Sequence, residues 1–172
     1  MASIVKRRMT AGMEGDFVVF LIGMRINRIW KVWKWFPVLL AMPRMLKELQ
    51  ADPESGYLGA EQYIRWRSPV VIQYWRSFEH LERYSRAKDG EHFPAWVKFN
   101  QRVSSNGDVG IWHETYSIAA GQYECVYNNM PLHGLGRAST AIPATGRHAT
   151  AAGRLGVREE AGYPEEAPLP GV

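Results

Sequence analysis

Apolar positions along this chain follow two rhythms and one continuous run. Between Gly15 and Asn27 the stretch GDFVVFLIGMRIN is apolar almost without interruption, which suits a strand covered on both faces. The next block, IWKVWKWFPVLLAMPRMLKELQAD, sets Trp30, Trp33, Val38, Leu39, Met42, Met45, Leu46 and Leu49 at steps of mostly three and four, the spacing of one helical face. Pro37 and Pro43 punctuate it, so the pattern predicts a helix that begins near Pro37 and bends or restarts near Pro43. SGYLGAEQYIRWRS and PVVIQYWRS are short and β-prone, with a turn at Arg67-Ser68-Pro69. Helical spacing then returns, with Phe78, Leu81 and Tyr84 on one face and a break at Asp89-Gly90 before Phe93, Trp96 and Val97. Asn106-Gly107-Asp108 turns the chain into VGIWHETYSI and YECVYNN, two β segments divided near Gly121-Gln122.

The predicted order, β-α-β-β-α-β with one further strand, is that of a ferredoxin-like split βαβ unit: an α+β fold with helices on one face of an antiparallel sheet. Because the first strand lacks polar alternation, its second face also needs a cover, and the simplest cover is a second copy, which predicts a homodimer. From Leu132 onward neither helical nor alternating periodicity is long enough to bury a face. The pattern therefore predicts one domain over residues 10–131 and an irregular, flexible C-terminal arm over 132–172. Removal of residues 141–172 is expected to leave the melting temperature nearly unchanged.

Charge and composition narrow this picture. The net charge is +4, and the basic residues alternate with acids, as in FEHLERYSRAKDGEHF. That is a solvated helix face, and no nucleic-acid partner is expected. Cys125 is the only cysteine, so no internal disulfide and no cysteine-based metal site can form, and a reducing, cytoplasmic setting is expected. The apolar run after the basic start stops at Arg25, unlike a secretion signal, and WFPVLLAM is far shorter than the roughly 20 residues of a bilayer crossing. No membrane span is expected. Lys31 and Lys34 beside three tryptophans suit a helix lying on a bilayer surface, although such a face is more often core or subunit interface.

The chemistry must come from scattered side chains. No Gly-rich nucleotide loop is present, GLGRAS at 134–139 lacks a strand before it and a helix after it, and no G-x-S-x-G elbow occurs. His80, His92, His113, His133 and His148 form no H-x-x-x-H or HExxH arrangement. His113 and Glu114, adjacent in a strand, point to opposite faces and cannot share a metal. One axial haem ligand needs no motif, so haem is kept as a less favoured cofactor and none is expected.

A cofactor-independent oxygenase needs an apolar cavity and a few groups that handle a proton. With His113 on the helix side of its strand, His92 and Trp96 from the second helical segment and Tyr74 from the third strand reach the same space. His113 and His92 are the catalytic candidates, and Trp96 and Tyr74 the substrate-binding ones. Glu114 and Tyr116 then face the dimer side, where the carboxylate needs a cation such as Arg25 or Arg67. Arg65-Trp66-Arg67 reads as an edge or interface feature, with contact to a substrate anion as the lesser option.

Three stretches together, GDFVVFLIGMRINRIWKVWKWFPVLLAMPRML, WRSFEHLERYSRAKDGEHFPAWVKFN and GIWHETYSIAAGQYECVYNNMPLHGLGRA, resemble a family of bacterial and fungal proteins related to the fumagillin-pathway monooxygenase. The resemblance covers residues 10–140. It implies a dimeric α+β barrel, the superfamily of antibiotic-biosynthesis monooxygenases and, more distantly, of haem proteins such as aldoxime dehydratases. It also implies an oxygenase-like activity on a small hydrophobic metabolite. The rival readings are a non-catalytic ligand-binding or interaction module on the same fold and a haem-dependent dehydratase-like enzyme.

Overall fold

The computed structural model describes residues 3–87, 97, 101 and 106–157. It divides into two compact units, 17–117 and a second unit formed by 1–16 with 118–172. The first carries a four-stranded sheet in the order β3-β4-β2-β5, built from β2 (Phe17–Ile26), β3 (Tyr57–Tyr63), β4 (Val70–Trp75) and β5 (Val109–Ile118). Helix α1 (Val32–Ala51) follows β2, and α2 (Phe78–Arg86) follows β4. This is the split βαβ order expected from the apolar pattern. The second helical piece expected around Phe93 to Val103 lies largely outside the described residues.

Alternation along β2 explains how the sheet is covered. Val18 joins Leu49 of α1, Trp75 of β4 and Leu81 of α2 in one buried cluster, with Phe20, Tyr57 and Tyr84 packed on it. Met24 and Ile26 join Val109 in a second, covered by Trp35, Val38 and Leu39 of α1. Even-numbered β2 residues thus face both helices. Trp75 is fully buried, and its indole N–H donates to Gln73 Oε1 at 3.0 Å, so the largest core side chain leaves no polar atom unmet. Tyr84 Oη donates to Glu48 at 3.0 Å, tying α2 to α1.

Helix α1 starts at Val32, not near Pro37, and runs through both prolines. Each proline removes one backbone donor, leaving the carbonyls of Trp33 and Leu39 without their usual partners. Core burial of one face and an anchor at the helix start offset that loss. The anchor is Asp108, whose side chain is 2% exposed. Lys31 Nζ donates to it at 3.0 and 2.9 Å, with Lys34 at 3.2 Å and Arg28 at 3.3 Å. Its backbone carbonyl also accepts from the amides of Asn27 and Arg28. An anion is favoured at a helix N-terminus, and the Lys31 ammonium holds the Asp108 carboxyl below the ordinary carboxylate range.

In the second unit, β1 (Met9–Gly12) pairs antiparallel with β6 (Thr140–Pro143). Short elements and turns make up much of the remainder: α3 (Leu135–Ala138), a 3-10 turn at Gly146–His148 and α4 (Ala151–Arg154). Part of the segment expected as an irregular arm, Thr140–Pro143, is a strand partner for the N-terminal residues, and residues 158–172 of that arm lie outside the described residues. The extra strand expected at YECVYNN is replaced by isolated bridges, Met9 to Tyr127 and Val5 to Met130. Its side chains take over the backbone contacts. Met13 N donates to Tyr123 Oη at 2.8 Å, and Gly136 N donates to Tyr127 Oη at 3.0 Å. An added Cβ on Gly136 would stand 2.5 Å from the Tyr127 ring, so only glycine admits that approach.

Candidate functional site

The strand quoted as VGIWHETYSI is β5 at the end of the sheet order, and its two faces carry different chemistry. His113 lies on the helix side: its ring centroid is 5.7 Å from that of Phe20, tilted by 41°, and Phe20 packs on the buried cluster of Val18, Trp75, Leu49 and Leu81. The imidazole is exposed, so it borders the apolar core while staying open to solvent.

Trp112 lies on the other face, with its indole over Gly23 of β2; an added Cβ there would meet the ring at 2.6 Å. Glu114 and Tyr116 follow at steps of two on the same face. Tyr116 Oη donates to Glu114 Oε2 at 2.7 Å, and this bond raises the phenol above its ordinary pKa. The expected cationic partners of Glu114 are committed elsewhere. Arg25 donates to Ser68 Oγ at 3.1 Å, and Arg67 donates to the carbonyls of Ile26 and Asn27. The residue that meets Glu114 is two positions along its own strand, a neighbour that the i, i+2 period of a strand identifies.

Tyr74 does not join His113. It pairs with Val19 in the register of β2 and β4, one step out of phase with the Val18–Trp75 pair, so it lies on the face turned away from the helices. Trp75 claims the core side, and a strand cannot give both neighbours the same face. Leu21, Ile72 and the buried Glu61 continue the Tyr74 face across three strands. His92 and Trp96 lie outside the described residues.

Two other described histidines have packing roles. His80 Nδ1 is 2.9 Å from Ser77 Oγ at the start of α2, and its ring fills the space beside Gly56, where a Cβ would meet it at 2.2 Å. His148 is held below its ordinary pKa by burial, with Arg147 and Arg154 adding to the effect. Among the described residues no group of three or more His, Cys, Asp or Glu could hold a metal ion.

A family model described as Monooxygenase af470-like matches residues 17–135, which span the whole four-stranded sheet. The chain belongs to that family. The curated Monooxygenase af470 of Aspergillus fumigatus is 24% identical over 164 residues, covering 83% of this chain and 58% of the relative. The af470-like chain therefore spans little more than half the length of that protein. Among solved structures, an aldoxime dehydratase aligns with a TM-score of 0.63 at 16% identity, over 81% of this chain and 44% of its own. That likeness is one of fold. SnoaB, a cofactor-independent oxygenase from Streptomyces nogalater, aligns over 59% of this chain and 91% of its own at 12% identity, with a TM-score of 0.43.

Proposed function

We propose that the chain is a monooxygenase that oxidises a small hydrophobic metabolite without a bound cofactor, as a homodimer in the cytoplasm. The observation that carries this reading is the family match over residues 17–135. The exposed His113 beside Phe20, at the margin of the helix-side core, supports this reading. Neutral imidazole accepts a proton near physiological pH, and the apolar ring beside it offers a surface for a hydrophobic substrate. The Tyr116 phenol, held protonated by Glu114, suits donation rather than proton removal near neutrality.

The reaction balances without an external reductant. His113 removes a proton from a substrate CH₂ made acidic by a neighbouring enolisable or phenolic system. The resulting carbanion passes one electron to dioxygen, and the two radicals couple to a peroxide. Loss of the second C–H proton with cleavage of the O–O bond leaves C=O and water, so that R₂CH₂ + O₂ gives R₂CO + H₂O. The substrate supplies all four electrons.

The test is turnover of the purified chain, with no cofactor added, on a panel of apolar phenols and 1,3-dicarbonyl compounds under ¹⁸O₂. Ketone product carrying one labelled oxygen is expected. Turnover only after addition of haem or flavin, or product without label, would overturn the reading.

A further inference from the structure

The end of the sheet where β2 runs into α1 carries large apolar side chains in solvent. Ile64 and Trp66, in the turn between β3 and β4, are 94% and 77% exposed, and Trp30 and Trp33, at the entry to α1, are each 66% exposed. These two segments are held side by side. Arg67 Nε donates to the carbonyl of Ile26 at 2.8 Å and its Nη2 donates to that of Asn27, while Ile26 N donates back to the carbonyl of Arg67 at 2.8 Å. The turn is specified closely enough to hold Arg67 at φ +62°, a conformation side chains disfavour.

The same end is basic. From Arg25 to Lys34, where β2 passes into α1, the chain has four basic residues and no Asp or Glu, and Arg65 and Arg67 add to the charge in the turn. Asp108, which closes on this end, is buried and already shared by Arg28, Lys31 and Lys34, three cations on one anion. Along α1 the solvent stripe opposite Val38, Leu39 and Leu49 reads Trp33, Phe36, Leu40, Arg44 and Lys47, all exposed. A surface helix is ordinarily polar on that stripe.

We propose that this end is a contact for an anionic bilayer surface, with Ile64, Trp66, Trp30 and Trp33 entering the headgroup boundary and the basic residues facing lipid phosphate and carboxylate groups. Tryptophan favours that boundary, and exposed apolar groups with a cationic rim are the signature of interfacial binding. A second copy fits less well, because a two-fold contact through this end sets the basic surface against itself. No helix among the described residues is long and apolar enough to span a bilayer, so the contact is peripheral. This inference does not rest on the monooxygenase reading, since binding is measured without turnover.

The experiment is flotation of the full chain with phosphatidylcholine vesicles, alone and with about 30% phosphatidylserine. Binding to the anionic vesicles is expected to be at least about tenfold tighter and to fall between about 0.1 and 0.5 M salt. Ile64→Ser with Trp66→Ser should lower it by about tenfold or more at an unchanged melting temperature; Trp30→Ser serves in its place if that pair unfolds. Arg65→Glu should lower the preference for the anionic vesicles by about fivefold or more. Equal binding to both vesicle types, or binding unmoved by these variants, would overturn the proposal. So would a Trp66→Ser chain that turns from dimer to monomer by light scattering while the parent floats with neither vesicle, which would assign the surface to a second copy.

Discussion

Lys31 donates to both carboxylate oxygens of Asp108, at 3.0 and 2.9 Å, and thereby fastens the first turn of α1 to the start of β5. Asp108→Asn keeps the shape but leaves Lys31, Lys34 and Arg28 gathered without their anion, so the melting temperature at neutral pH should drop by roughly 5 °C or more. The pH dependence has a defined sign. The folded-state pKa of Asp108 is depressed, chiefly by Lys31, so its contribution is fully present above the unfolded value of about 3.9 and is lost as pH falls through the folded value. Melting curves from neutral to acid pH should converge for the parent and Asp108→Asn below that range; curves that stay parallel would show that the cluster does not supply the difference.

Gly23 and Trp112 form a contact that excludes a methyl group, because a Cβ on Gly23 would lie 2.6 Å from the indole. Gly23→Ala should destabilise by about 1–3 kcal/mol through overpacking. Trp112→Val in the Gly23→Ala background should then cost about 1 kcal/mol less than in the parent, as a double-mutant cycle in urea would measure. Additive losses would mean that the strain is relieved elsewhere.

Tyr116 should titrate late. Its hydrogen bond to Glu114 opposes ionisation of the phenol, so ultraviolet titration should show a tyrosine component above the ordinary value of about 10. That component should vanish in Tyr116→Phe and return to the ordinary range in Glu114→Gln, where an amide replaces the carboxylate. A titration unchanged by Glu114→Gln would show that the pair is not formed in solution.

Much of the sheet is legible in the sequence because its determinants are local. The unbroken apolar run of β2 announces a strand in the centre of a sheet, and the turn at Arg67-Ser68-Pro69 separates β3 from β4. The start of α1 is illegible for the opposite reason: Pro37 offers a local helix-start signal, whereas the true start depends on Asp108, 77 residues from Lys31. Tyr123 and Tyr127 alternate as a strand would, but their hydroxyl groups bond to the backbone and make an irregular segment instead. At the candidate site, strand period places Trp112, Glu114 and Tyr116 together and His113 opposite, and this much follows from the sequence. The face of Tyr74 does not follow until Gln73 and Trp75 are read as one buried pair, since the indole needs both the volume of the core and the acceptor two residues away.

The pairing of β1 with β6 changes what truncation should do. Removal of residues 140–172 strips Met9–Gly12 of its strand partner and takes away the buried Ala144 and Ala149. Contrary to the expectation from composition, the shortened chain should lose residues near its N-terminus to limited proteolysis that the parent resists. Arg154→Ala should show a weaker form of the same effect, because Arg154 bonds to Glu124 and to the carbonyls of His148 and Ala149. Identical digestion patterns for all three chains would show that the 140–157 segment adds nothing to the order of the N-terminal residues.

His113 decides between the two faces of β5. If the imidazole removes the substrate proton, His113→Gln retains size and some hydrogen bonding but loses a group that accepts a proton near neutral pH, and turnover should fall by roughly 10²-fold or more. Folding should survive, since His113 is exposed and its ring meets that of Phe20 in a tilted contact at the margin of the core. Tyr74→Phe, on the opposite face, should leave turnover within about twofold and serves as the control for a general effect of altering the sheet. Full turnover in His113→Gln with loss in Tyr116→Phe would move the chemistry to the Glu114–Tyr116 face, where the phenol, held protonated, would act as the donor.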